Sequence, residues 1–305
     1  FLINIDDYEI ISRSRSSFNI NGRILVQNIN SEKKYIAKIF LHYLHDELFF
    51  FRFYTELYKL IRCQNPTLIH FVGYSLVDFE GSRNPVIILE NQNNNTLEKQ
   101  PLSDFEQLTS TQRQIMLIGI ARAMMILHNN HIIYSNIKPS NILIDANFHP
   151  IISDFCFSNF FGNDDEKHHP KIFESLVYMA PETLKSDDFS YKSDVFAFSI
   201  LMYEVVTGNK PYPQIETQNI EKLKNEIING HRPSFENITI SQPIKELICQ
   251  CWSNNSQDRP SFDTIFLKLA NLEGTGNTDY KIDMDVDIEE INKYVNIIYQ
   301  GGDHF

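Results

Sequence analysis

The chain has 305 residues, 27 Lys and Arg against 39 Asp and Glu, a formal charge of −12 and 42% hydrophobic residues. That balance excludes disordered and fibrous classes. It also argues against a nucleic-acid binder, which gains affinity from clustered Lys and Arg displacing counterions.

At the start of the chain, Phe1 stands in place of Met and Asp6-Asp7 interrupts any apolar signal region, so a segment cut from a longer protein is expected. Short β-branched and aromatic runs follow at Arg23–Gln27, Tyr35–Phe40, Ile69–Ser75 and Val86–Leu89. Asn, Ser, Gly and Pro separate them, and the pattern predicts strands. One helix interrupts the series between Asp46 and Arg62. Leu48, Phe49, Phe53, Leu57, Leu60 and Ile61 recur there at helical spacing, which leaves Arg52, Glu56 and Lys59 off the main stripe.

The asparagine-rich run Asn91–Asn95 reads as a solvated connector. Beyond it the pattern turns helical. Thr111-Gln112-Arg113-Gln114 has the form of a capping box and opens an apolar helix to Leu127. Two short strands, Ile142–Ile144 and Ile151–Ile152, are predicted around a turn at Ala146-Asn147. Asp194–Thr207 is apolar nearly all round, so this helix is expected to run through the centre of its lobe. The stretches Ile115–Leu127 and Val195–Val206 fall short of the roughly 17–25 residues of a membrane helix and read as core helices.

Cys63, Cys156, Cys249 and Cys251 fit neither a disulfide framework nor paired C-x-x-C knuckles, so a reducing cytoplasm is expected. Cys249 and Cys251 fall on opposite sides of a predicted helix. His168-His169, beside Asp164, Asp165 and Glu166, reads as a solvated loop rather than a metal site. After Glu273 come Gly274–Asn277, the acidic run Asp279–Glu290, read as a solvated linker, and a helical stripe of Ile288, Ile291, Val295 and Ile298 with no evident partner. The expected fold class is α+β. A small β-rich lobe (8–90) precedes a larger α-rich lobe (91–272), and residues 273–305 form an acidic linker and the start of a further helical region.

Two clusters identify a family. His131, Tyr134-Ser135-Asn136, Lys138 and Asn141 are followed by Asp154-Phe155-Cys156 and then by Ala180-Pro181-Glu182. Their order and spacing resemble the protein-kinase signatures H-R-D-x-x-x-x-N, D-F-G and A-P-E. Tyr35-Ile36-Ala37-Lys38-Ile39 is similar to the V-A-I-K strand, Glu56 to the helix-C glutamate, and Leu89-Glu90 to the gatekeeper and hinge. Cys251-Trp252 with Asp258-Arg259-Pro260 is similar to the ending of tyrosine-kinase-like kinases.

The resemblance implies a two-lobed kinase fold that uses ATP and Mg²⁺. Lys38, Glu56, Glu90, Asn141, Leu143 and Asp154 would bind the nucleotide, with Asn141 and Asp154 on the metal. Lys138 would neutralise the γ-phosphate, and Glu182 would pair with Arg259.

The departures from the family pattern are as specific as the matches. Asn136 stands where the family has its base aspartate, and an amide takes no proton. Ser135 replaces the arginine that clamps a phosphorylated activation loop, and Ser175, before Tyr178-Met179-Ala180, lacks the aspartate partner usual in the family. Tyr134, in place of histidine, is expected to pack with Phe155 and Leu60. In the phosphate loop Ser14, Ser16 and Asn19 align with the three glycine positions, and Gly22 is the only glycine before Lys38. Ile36 replaces the small residue over adenine, and Cys156 replaces the last glycine of D-F-G.

A pseudokinase is therefore expected, binding ATP and Mg²⁺ weakly or not at all and serving as an allosteric or scaffolding signalling module. Its partner would be a protein, such as another kinase, with neither nucleic acid nor membrane involved. The alternative is an active atypical serine/threonine protein kinase that transfers the γ-phosphate to protein hydroxyls.

Overall fold

The structure is a computed structural model that describes residues 1–13, 24–40, 48–92, 96–97, 108–153, 155, 175–215, 219–271 and 280–300. Ser14, Ser16, Asn19, Gly22, Asp154, Cys156 and the His168-His169 loop lie outside the described residues.

The smaller lobe is an antiparallel sheet of β1 (Tyr8–Arg13), β2 (Ile24–Asn28), β3 (Lys34–Ile39), β4 (Phe71–Ser75) and β5 (Val86–Glu90), in the order β1-β2-β3-β5-β4. Successive side chains of a strand alternate between faces, and β5 is apolar on both. Val86 and Ile88 join Ile24, Val26 and Ala37 on one side. Ile87 and Leu89 belong to the main core, with Phe53, Leu57 and Leu60 of helix α1 (Phe49–Arg62). The predicted strands are present with ends moved by one or two residues, and β1 was missed. Tyr8–Ser12 are exposed or half-buried, so the apolar alternation is weak. Leu48 also departs from its expected place in the helical stripe, being 63% exposed just ahead of the first turn of α1.

The larger lobe is built on α2 (Ser110–Asn129) and α4 (Tyr191–Thr207), both buried nearly all round. Between them in sequence lie the hairpin β6 (Ile142–Ile144) and β7 (Pro150–Ile152) and the short α3 (Pro181–Ser186). Helices α5 (Ile220–Ile228), α6 (Gln242–Cys251) and α7 (Phe262–Leu269) complete the lobe. Cys251 is buried and Cys249 exposed on α6, as their opposite placement requires.

The capping box of α2 is Thr109 with Gln112, not Thr111 with Gln114: the Thr109 hydroxyl accepts from the Gln112 amide and the Gln112 side chain accepts from Thr109 N–H. Both pairs satisfy the S/T-x-x-E/Q pattern, so sequence alone does not rank them. Thr111 and Gln114 are buried and engaged elsewhere. The Thr111 hydroxyl accepts from Asp287 N–H at 2.9 Å, and the Gln114 amide donates to the carbonyls of Leu269 (2.8 Å) and Tyr280 (3.1 Å) and accepts from Ile282 N–H (3.1 Å).

All but the Leu269 bond tie α2 to the tail. Within the run expected to be a solvated linker, Ile282 and Val286 are buried, and helix α8 (Ile288–Gln300) sets Ile291, Tyr294, Val295 and Ile298 into the main core against α2. Ile288, the first member of the predicted stripe, is 37% exposed.

Candidate active site

The cleft is assembled from short elements at the junction of the two lobes. Lys38 lies on β3, where antiparallel pairing sets it opposite Ile87 of β5. Ile36 faces Leu89, so the bulkier residue predicted over adenine lies beside the expected gatekeeper. Glu90 ends β5 and is pinned by Lys33 Nζ at 2.7 Å, which ties the turn between β2 and β3 to the start of the connector. Glu56 sits on α1 with its side chain 14% exposed, and its carboxylate takes Lys59 Nζ at 2.6 Å, one helical turn on.

On the opposite side, Leu143 is buried in β6 and forms an antiparallel bridge with Thr96. Asn136 is exposed at the tip of the loop before β6. Asn141, in the 3₁₀ turn Pro139–Asn141, donates from Nδ2 to the Asn136 carbonyl at 2.9 Å. Its own carbonyl accepts from Ser153 N–H at 3.3 Å, so Asn136, Asn141 and the residue preceding Asp154 are fixed as one unit. Asn141 Oδ1 accepts no hydrogen bond among the described residues. A hard oxygen aimed by the bond its amide nitrogen makes is the donor type that Mg²⁺ takes, so this residue fits a metal ligand. The second expected ligand, Asp154, lies outside the described residues. Lys138 is half-buried and donates from Nζ to the Ser175 hydroxyl at 2.9 Å.

Asp194 holds this loop from below. It is 1% exposed in the first turn of α4, and its carboxylate accepts from Ser135 N–H at 2.7 Å, Tyr134 N–H at 2.9 Å and His128 Nε2 at 2.9 Å. Ser135 has φ +60°, a left-handed conformation that costs a non-glycine residue roughly 1–2 kcal/mol. Turning the backbone there points two successive N–H groups at one carboxylate. Tyr134 replaces the family's histidine and keeps a polar link, its hydroxyl donating to the Ser153 carbonyl at 2.8 Å, while its ring lies in the same buried cluster as Phe155 and Leu60.

Three contacts escaped sequence reasoning: the Asp194 clamp, the Lys138–Ser175 bond and a Tyr178–Glu204 pair. A lone Asp at the mouth of an apolar helix was the available signal for the first; the others join residues far apart in sequence without a local pattern. Tyr178 donates its hydroxyl to Glu204 on α4, and burial pushes the Glu204 carboxyl up to about 7. The expected pair of Glu182 and Arg259 is present and bidentate, at 2.6 and 2.9 Å, with the Arg259 side chain fully buried. Cys63, behind α1, is pushed up to about 11 by burial and is an inert thiol.

A family model described as protein tyrosine and serine/threonine kinase matches residues 21–269. Among curated proteins, the serine/threonine-protein kinase VIK of Arabidopsis thaliana is 29% identical over 242 residues, 77% of this chain and 53% of that protein. A protein kinase and PP2C-like domain-containing protein of the same plant is 30% identical over 190 residues, covering 52% of this chain and 29% of its own length. The dual specificity protein kinase shkB of Dictyostelium discoideum is 26% identical over 274 residues, 86% of this chain and 42% of that protein. The chain thus spans about half, or less, of the length of these relatives.

Proposed function

The chain belongs to the protein tyrosine and serine/threonine kinase family, and on that premise we propose that it is a pseudokinase of the tyrosine-kinase-like group. It binds ATP with Mg²⁺ weakly and signals through a protein partner in the cytoplasm. No helix among the described residues is long and apolar enough to cross a membrane. The similarity of Cys251-Trp252 and Asp258-Arg259-Pro260 to the endings of that group supports the narrower placement.

Asn136 carries the proposal. Its loop is held by Asp194 and Asn141, and an amide stands where the acceptor hydroxyl needs a proton acceptor. Asn141 and Asp154 would hold Mg²⁺, which would supply neutralisation of phosphate charge. Lys38 and Glu56 position the nucleotide from above, Glu90 and Leu143 border the base, and Lys138 meets the terminal phosphate. Loss of a positioned base is worth about 10²–10⁴-fold in rate, so binding outlasts catalysis.

The second reading, an atypical serine/threonine kinase, draws support from the names of the relatives and from the ordered hydrogen bonds around Asn136 and Lys138. In that case Asn136 orients the hydroxyl and solvent takes its proton.

Thermal unfolding with ATP, with and without Mg²⁺, on the wild type and Lys38→Ala decides whether nucleotide is bound. A Mg²⁺-dependent rise that is lost in Lys38→Ala supports the proposal. Phosphate incorporation at rates ordinary for kinases, abolished by Asp154→Ala, replaces it with the second reading.

A further inference from the structure

We propose that the tail, Tyr280–Gln300, is a cis-acting strap that sets the position of β7 by holding the turn that β7 shares with the end of α1. Three anchors run along it. The backbone from Tyr280 to Asp287 is bonded to Gln114 and Thr111 of α2, and the Ser241 hydroxyl donates to the Lys281 carbonyl. Tyr294, 4% exposed, is the second anchor and stacks on His149 at 4.6 Å. It occupies a notch at Gly119, where an added Cβ would collide with the Tyr294 hydroxyl and stand 2.6 Å from Pro150 Cγ. The third lies at the far end, where Arg122 stacks over Tyr299 at 4.7 Å.

In its last turn the strap reaches the smaller lobe. The final carbonyls of a helix have no partner within it. Here the Ile298 carbonyl accepts from Asn65 Nδ2 at 2.9 Å, a bond buried from solvent. The other end of the same side chain closes a tight turn, with Asn65 Oδ1 accepting from Thr67 N–H at 3.1 Å and from the Thr67 hydroxyl at 2.8 Å. The Thr67 carbonyl then accepts from Ile152 N–H, and the Ile152 carbonyl from Ile69 N–H, each at 2.9 Å.

Asn65 follows the last residue of α1 by three positions, and Ile152 precedes Asp154 by two. One amide side chain therefore joins the tail, the end of the helix that carries Glu56, and the strand that leads into Asp154-Phe155. His149, just ahead of β7, stacks on Tyr294, and Pro150 lines the notch at Gly119 beside the Tyr294 hydroxyl, so β7 is held at its start by the strap and at its end through Thr67. Lifting the strap frees the turn, loosens β7 and changes nucleotide affinity. Only that last consequence rests on the nucleotide-binding reading.

Hydrogen exchange read by mass spectrometry on the full chain tests the strap directly. Asn65→Asp keeps the acceptor for Thr67 and removes the donor to Ile298; Tyr294→Ala empties the notch. Each is expected to speed exchange at Ile69 and Ile152 by about tenfold while amides of α4 stay unchanged. Unchanged exchange at those two amides, or a rise of equal size in α4, overturns the proposal, and Asn65→Asp supplies the answer if Tyr294→Ala fails to fold. A parallel ATP and Mg²⁺ titration is expected to show at least fivefold weaker binding in both variants. If wild type binds no nucleotide, the functional reading fails and the exchange result still decides the strap.

Discussion

Lys138 Nζ donates to the Ser175 hydroxyl at 2.9 Å, which ties the loop bearing Asn136 to the segment ahead of α3. The cation expected at the terminal phosphate is thus already engaged within the protein. Hydrogen bonds to charged groups contribute about 1.5–3 kcal/mol. Ser175→Ala is expected to tighten ATP binding in the presence of Mg²⁺ by up to about tenfold, roughly 1.4 kcal/mol. An unchanged dissociation constant by calorimetry would show that Lys138 does not serve the nucleotide.

Asp194 gathers two backbone donors and an imidazole around a carboxylate with almost no exposure. Asp194→Ala leaves a buried donor at Tyr134 and two part-buried ones at Ser135 and His128 without their acceptor and is expected to cost about 3 kcal/mol. Ser135→Gly relieves the left-handed backbone at φ +60° and is expected to offset the loss of chain entropy, leaving stability within about 1 kcal/mol of wild type. Urea unfolding of both variants checks the pair; a mild Asp194→Ala phenotype would remove the clamp from the account.

The Glu204 carboxyl, raised from near 4.5 to about 7 by burial, holds its proton in the folded state over a range where the unfolded chain has lost it. The folded state binds more protons in that window, so this group's contribution to stability falls as pH rises from about 4.5 to about 7 and is flat above. Glu204→Gln keeps an acceptor for the Tyr178 hydroxyl and removes the titration. The variant is expected to lose this slope and to exceed wild type by about 1–2 kcal/mol at pH 8. Parallel urea curves at pH 5, 6, 7 and 8 test this, and identical pH dependence for the two proteins refutes it.

Asn136→Asp restores a proton acceptor on a loop whose backbone is already fixed by Asn141. Phosphotransfer to a peptide or to the chain itself is expected to rise by about 10²-fold or more, with nucleotide affinity little changed. Equal activity in wild type and variant would mean that this position does not limit the chemistry.

Much of this was legible in the sequence because local rules and long-range packing agreed. The helix over Tyr191–Thr207 announced its burial by being apolar all round, and the hairpin at Ile142–Ile152 by its two short β-branched runs. Lys38, Glu56 and Leu143 fall on the strands and helix expected for them, whereas Glu90 closes β5 one residue past the expected strand end. What escaped was tertiary. β1 carries too weak an alternation to stand out, and the true capping box was hidden by a second box two residues on whose side chains serve the tail. The destination of the stripe at Ile291, Val295 and Ile298 depended on α2, and no periodicity within the stripe encodes its partner.

Gly119 stands in the middle of α2, where glycine weakens a helix by roughly 1 kcal/mol relative to alanine. The apparent defect is the socket for a phenol hydroxyl contributed 175 positions later by Tyr294. The two sites consequently form a lock and key within one polypeptide. Transplanting residues 280–300 onto a homologous scaffold will succeed only where the recipient offers the same missing side chain, and alanine there is enough to evict the graft.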